Sequence, residues 1–178
     1  MVAASIGSKL ESPVRWATHS LYCLRMDVDV VVNFESNWFA IGGVVRDHVG
    51  KIIIAFGQNI TKPPSVVYAE LMAIREGIAL VQDRGLTTNF ISFDSLLAVK
   101  AIIGLEEDRS INGAITNEIR SLLSRFTIVK LFHIRRSANV VANAIAHFVS
   151  PSQDPFIWDN ENFPFWLVDL VTNDIMLH

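Results

Sequence analysis

From Leu24 onward, apolar and polar positions alternate: Met26, Val28, Val30 and Val32 are interleaved with Asp27, Asp29, Val31 and Asn33, the two-residue period of a strand. The turn-forming residues Glu35, Ser36 and Asn37 lead to a second β-rich run, Trp38 to Val45. Asp47, His48 and Gly50 mark another turn before Ile52 to Phe56. Three strands joined by short turns predict an antiparallel meander. The period then changes. Pro63, Pro64 and Ser65 supply a stop and an N-cap, Leu71, Ile74, Ile78 and Val81 recur at helical spacing, and Gly85 closes the helix. A short strand, Phe90 to Asp94, precedes a helical run through Ala98 and Ile102 to Gly104. Ile111 to Leu123 reads as a further helix, Phe126 to Ile134 as a strand, and Ala138 to Phe148 as a final helix. Strands alternating with helices in this half add parallel strands to the meander, so the predicted order is βββαβααβα.

The flanks lack this regularity. Residues 1–20 are polar and patternless and are expected to form a poorly ordered leader; the domain proper is expected over 21–150. Residues 151–178 carry Phe156, Trp158, Phe163, Phe165 and Trp166, and are expected to form an aromatic-rich tail packing on the domain or on a protein partner.

Composition narrows the class. With 178 residues, 51% apolar and 19% charged, one compact domain can bury a sufficient core without a covalent staple. The single cysteine, Cys23, excludes an internal disulfide and any zinc site needing two or more cysteines. A mean hydropathy of +0.35 invites a membrane reading. The apolar runs, such as Ile52 to Phe56, are far shorter than the about 20 residues a spanning helix needs. Met1 to Ser8 lacks the charged start and apolar core of a secretory signal, so the expectation is a soluble intracellular protein, nuclear or cytoplasmic. A net charge of −3 excludes a generally basic nucleic-acid binder. Any such binding has to rest on a local patch, or on metal ions that neutralise carboxylates and phosphates together.

That requirement directs attention to the carboxylates. Phosphodiester hydrolysis at a two-metal site needs several hard oxygen ligands from separate elements converging on one point. Asp29 in the first strand, Glu70 in the first helix and Asp94 at the end of the fourth strand are such a set. Each also has a plainer role. Asp94 precedes Ser95 and can cap the next helix; Glu70 near a helix start can be a solvated carboxylate favoured by the dipole. Asp29 can lie on a solvated edge strand, although Asp is depleted in strands. Asp27 points to the same face as Asp29, and two such charges repel unless a cation or solvent intervenes.

Four blocks of sequence, with two further ones after them, add a resemblance. Met26-Asp27-Val28-Asp29, Ile41 to Asp47 with Gly50, Ala69 to Gly77, and Phe93 to Val99 are followed by His133 to Arg136 and Asn139 to Ala146. In this order and at these separations they resemble the ribonuclease H family, more narrowly the plant branch of ribonuclease H-like domains related to reverse-transcriptase elements. The likeness covers about Arg15 to Asp174. It implies an α/β fold with a mixed five-stranded sheet, order 3-2-1-4-5, flanked by helices. It also implies a metal-dependent endonuclease that cleaves RNA within RNA–DNA hybrids, using Mg2+ or Mn2+ at a two-metal site. The family's first catalytic Asp falls on Asp29, its Glu on Glu70 and its second Asp on Asp94, each also a metal ligand.

The chain departs from the family pattern at several points. The fourth family carboxylate falls on Asn143, whose amide oxygen can ligate a metal only weakly because it carries no charge. Val30 stands where the family usually places Gly, and Asp27 where plant relatives often carry Asn. The histidine-bearing loop of active enzymes is reduced to Arg135-Arg136-Ser137, and His133 is expected to end the last strand. Arg46, Arg135 and Arg136 are candidate phosphate contacts, with solvated surface arginines the alternative. If the departures outweigh the likeness, the alternative is a catalytically impaired, retroelement-derived module that binds nucleic acid or protein, and a fragment of a larger element-derived protein is a further reading.

Overall fold

The computed structural model describes residues 23–104, 108–149 and 154–176; the leader expected over 1–20 lies outside the described residues. Strands β1 (Arg25–Asn33), β2 (Trp38–Arg46) and β3 (Ile52–Thr61) form the expected antiparallel meander. Helix α1 (Val66–Asp83) leads to β4 (Phe90–Phe93), which lies parallel to β1. After α2 (Leu96–Ile103) and α3 (Ile111–Leu123), β5 (Lys130–His133) extends the sheet parallel to β4. A short 3-10 turn (Arg136–Ala138) precedes α4 (Val140–Phe148). The ribonuclease H-like strand order 3-2-1-4-5 is therefore present. The chain after it adds β6 (Phe156–Trp158), antiparallel to β3, and α5 (Phe165–Met176), giving the order β5-β4-β1-β2-β3-β6.

Side-chain hydroxyls start the helices. Ser65 Oγ accepts from the Tyr68 amide at 3.0 Å and Ser95 Oγ from the Ala98 amide at 3.2 Å, each satisfying a first-turn donor that the helix itself leaves open. Gly85, at φ +65°, takes the left-handed turn that ends α1. The start of the fifth strand differs from the pattern reading. The amides of Arg125 and Phe126 bond back to the carbonyls of Leu122 and Leu123, so the chain from Phe126 first unwinds α3 and becomes a strand only at Lys130. Phe126 and Val129 are apolar because they are buried in the core, outside any strand.

The sheet is covered on both faces, and this governs everything at the site. On one face Met26, Val28 and Val30 pack with Ile41, Val45 and Phe56 beneath Leu71, Ile74 and Ile78 of α1. Full burial of each such side chain contributes about 1.5–3 kcal/mol. On the other face Val44 and Ala55 meet Val141 and Ile145 of α4 and Leu167 and Val171 of α5. Arg25, Asp27 and Asp29 point to this second side and are as buried as their apolar neighbours. The alternation in β1 thus separates two interior faces, one apolar and one charged. Among the described residues no helix is long and apolar enough to cross a membrane.

Candidate active site

Three elements bring three carboxylates together. β1 is the middle of the sheet, with β4 and β2 on either side, so Asp29 does not lie on a solvated edge; it is 1% exposed. β4 runs parallel to β1 with Asp27 opposite Ser92, and the same register two residues on sets Asp94 beside Asp29. Because Ser95 caps α2, the Asp94 side chain is left for other work. Glu70, in the second turn of α1, lies on the buried side of the helix rather than in solvent. One carboxylate oxygen from each of Asp29, Glu70 and Asp94 lies within 4.8 Å of the other two.

Such crowding is unfavourable for three anions alone. Burial, and then the neighbouring charges of Asp94 and Asp29, push the Glu70 carboxyl up to about 8. Burial and then the Asp94 charge raise Asp29 to about 6, against the hydrogen bonds it accepts. Glu70 Oε2 is buried without a hydrogen-bond partner. An orphaned carboxylate oxygen beside two further acids fits a hard divalent cation of the Mg2+ or Mn2+ class, which takes oxygen ligands and removes the repulsion. The donor set contains no thiolate or imidazole that would favour a softer ion.

Asn143, the residue at the fourth family position, joins the cluster in a different sense. Its Nδ2 donates to Asp29 Oδ2 at 2.7 Å, while the Val30 amide donates to Asp29 Oδ1 at 2.8 Å, so both Asp29 oxygens accept a hydrogen bond. One turn earlier on the same helix face, Asn139 Nδ2 donates to the Val28 carbonyl at 2.8 Å. The two amides hold α4 against β1. The approach is close because the residue opposite Asp29 is Gly42: a Cβ there would lie 2.3 Å from the Ala146 nitrogen. Val30 places its side chain in the α1-side core, so the family's missing glycine puts no bulk among the carboxylates.

Asp27 is not part of the acidic cluster. Its oxygens meet Arg25 Nε at 2.7 Å and Arg46 Nη2 at 2.8 Å, and these charges hold its carboxyl below the usual range despite burial. The same pairing corrects the expectation for Arg46. That side chain is about 2% exposed and also meets Asp174 of α5 at 2.6 Å, so it is enclosed among carboxylates and does not reach a phosphate. Arg136 differs. It is 70% exposed, with Nε 4.0 Å from Asp94 Oδ2, and its charge opposes the upward shifts at Asp29 and Glu70. Arg135 beside it is exposed. His133 ends β5, and its Nε2 lies 3.1 Å from the Asp94 carbonyl oxygen, bracing the strand end that carries Asp94. Sequence reasoning missed Asn139, Arg25 and Asp174. Only Asn139 left a signal, its four-residue spacing from Asn143.

Comparison with known proteins supplies the family and the fold. The sequence profile described as reverse transcriptase-like matches residues 27–149, well over half of the chain. The chain belongs to the reverse transcriptase-like family. The matched span of this reverse transcriptase-like chain holds Asp29, Glu70, Asp94 and Asn143, and ends before β6 and α5. No curated protein matches it. Among solved structures, the N-terminal RNase H domain of Rv2228c from Mycobacterium tuberculosis superposes with a TM-score of 0.61 at 19% identity, covering 70% of this chain and 90% of that one. RNase H1 from the archaeon Halobacterium salinarum gives 0.59 at 22%, covering 70% and 94%. LC11-RNase H1, solved in complex with an RNA/DNA hybrid, gives 0.59 at 17% with the same coverage. At these identities the likeness establishes the ribonuclease H-like fold.

Proposed function

We propose that this protein is a metal-dependent endonuclease that hydrolyses RNA within RNA–DNA hybrids. The observation that carries the reading is the convergence of Asp29, Glu70 and Asp94 from three separate elements, with an orphaned Glu70 oxygen among them. Family membership and the hybrid-bound LC11-RNase H1 support it. Asp29, Glu70 and Asp94 would hold divalent cations, with Asn143 a weak additional ligand after its amide turns from Asp29. Such cations, when bound, supply charge neutralisation at the phosphate and a water acidified enough to attack near neutral pH.

The chain's own residues do the rest. The α4 amides keep Asp29 oriented, and the buried floor holds the carboxylates in place before substrate arrives. Arg136, and Arg135 beside it, give positive charge at the rim, where a phosphate backbone would pass. Hydrolysis adds water across the bond between phosphorus and the 3′ oxygen: hydroxide joins phosphorus, the proton goes to the departing oxygen, and the products carry a 5′-phosphate and a 3′-hydroxyl. Selection of RNA would rest on its 2′-hydroxyls in the hybrid minor groove.

One observation favours a second reading. Asn143 donates to Asp29 where the family carries an acid, which weakens the charge set and suits a module that binds a hybrid without turnover. Purified protein, with Asp29→Asn and Asn143→Asp variants, should be incubated with labelled hybrid in Mg2+ or Mn2+. Cleavage that disappears in the first variant and rises in the second supports the nuclease. Retention of hybrid in a gel shift with no cleavage by any variant leaves the binding module.

A further inference from the structure

We infer that α5, which lies outside the family-matched span, is a positioning element of the carboxylate site, latched through Asp174. The inference rests on the metal-site reading above.

Four charged side chains form a buried chain across the sheet. Arg25 meets Asp27 at 2.7 Å, Asp27 meets Arg46 at 2.8 Å, and Arg46 meets Asp174 at 2.6 Å. Asp174 comes from the last turn of α5 and is about 8% exposed. Buried charges of this kind hold their place only while paired, because each is costly to leave out of water alone. Asp174 therefore does more than decorate a helix end: it supplies part of the counter-charge that lets Arg46 of β2 sit inside the domain against Asp27, which lies two residues along β1 from Asp29 on the same face.

The apolar contacts give the latch its consequence. Leu167 and Val171 of α5 pack on Val141 and Ile145 of α4, the helix whose opposite contacts are Asn139 to Val28 and Asn143 to Asp29. α4 is thus pressed from one side by α5 and tied on the other to the strand bearing Asp29. Gly42 leaves no slack between helix and sheet, so a helix released by α5 can only move outward, taking the Asn143 amide from Asp29. Asp174 acts through other residues and touches no reacting atom.

Full-length Asp174→Asn is the test, with Asp169→Asn as control, since Asp169 is exposed on the same helix and loses the same charge. Well below the melting transition, Mn2+ affinity by titration calorimetry and hydrogen exchange of the α4 amides are read together. Asp174→Asn should weaken Mn2+ binding about tenfold, the lower range for residues that orient metal ligands from outside the coordination shell. It should also speed exchange across Val140–Phe148, and Asp169→Asn should change neither. A lowered melting temperature with unchanged Mn2+ affinity and α4 exchange overturns the inference. No Mn2+ uptake by the unaltered protein overturns the metal-site reading instead. Should Asp174→Asn not fold, Asp174→Glu, which keeps the charge on a longer arm, is expected to show the same two changes in milder form, and their absence there is equally decisive.

Discussion

Asn143→Asp tests the electrostatics of the site most directly. The amide now donates to Asp29 Oδ2 at 2.7 Å, and the substitution replaces that donor with an oxygen of the same size. Two costs follow in the metal-free protein. A hydrogen bond to a charged group is lost, worth about 1.5–3 kcal/mol. A like charge is also gained, which at about 4 Å and an effective dielectric near 20 amounts to roughly 4 kcal/mol if both groups stay ionised. They will not: burial already lifts Asp29 to about 6, so one of the pair takes a proton, which relieves most of the repulsion and replaces the lost bond with one between the two carboxyls. The cost is then that of holding this proton at pH 8, about 1.4 kcal/mol for each unit above 6. A net loss of about 2–3 kcal/mol remains, which for a chain of this length lowers the melting temperature by roughly 5–10 °C. A divalent cation reverses the sign of the added charge's effect. Differential scanning fluorimetry at pH 8, in EDTA and in excess Mg2+, should show the variant melting below the parent in EDTA and gaining more from Mg2+. Asn143→Ala, which loses the bond without adding charge, should lose stability in EDTA and gain no extra benefit from the ion. An Asp variant as stable as the parent in EDTA, or one whose Mg2+ gain is no larger, refutes the reasoning.

Three further outcomes follow from the same geometry. Glu70 is raised from 4.5 to about 8, so between those values the unfolded chain releases a proton that the folded one keeps; metal-free stability should fall as pH rises through that window, by up to about 1.4 kcal/mol per unit, and urea titrations with saturating Mg2+ should flatten the dependence. Gly42→Ala drives a methyl to 2.3 Å from the Ala146 nitrogen and 2.6 Å from the Ala142 oxygen, backbone atoms that cannot rotate away; a destabilisation of about 1–3 kcal/mol by chemical denaturation is expected, with weaker Mn2+ binding as α4 moves off β1. Arg136→Ala should leave the melting temperature unchanged and reduce the salt dependence of hybrid binding by about one counterion, whereas an unaltered slope would remove Arg136 from the phosphate path.

Much of the architecture could be read locally, and the reasons are specific. α1 and α3 carry their own serine caps and one apolar face, so period and cap alone locate them. β6 and α5 gave no comparable signal. β6 has three residues and exists because β3 offers it an edge; α5 mixes buried Leu167 and Val171 with exposed Phe165 and Val168, so its apolar stripe is blurred. The candidate site was legible residue by residue for Asp29, Glu70 and Asp94, through the likeness to a family.

What the sequence determined unaided is the set of elements whose signals are local: alternation, helical period, caps and turn residues act over a few positions, and neighbours in the chain are enough to express them. What the tertiary structure alone decided is the meaning of the charges. Asp27 and Asp29 are two residues apart with the same side chain and the same strand face, yet one is neutralised by Arg25 and Arg46 and the other is gathered with Glu70 and Asp94. Within β1 only Arg25, beside Asp27, separates them. The other partners arrive from β2, α1 and the end of β4, and the ionisation of a buried carboxyl depends on which charges surround it in space.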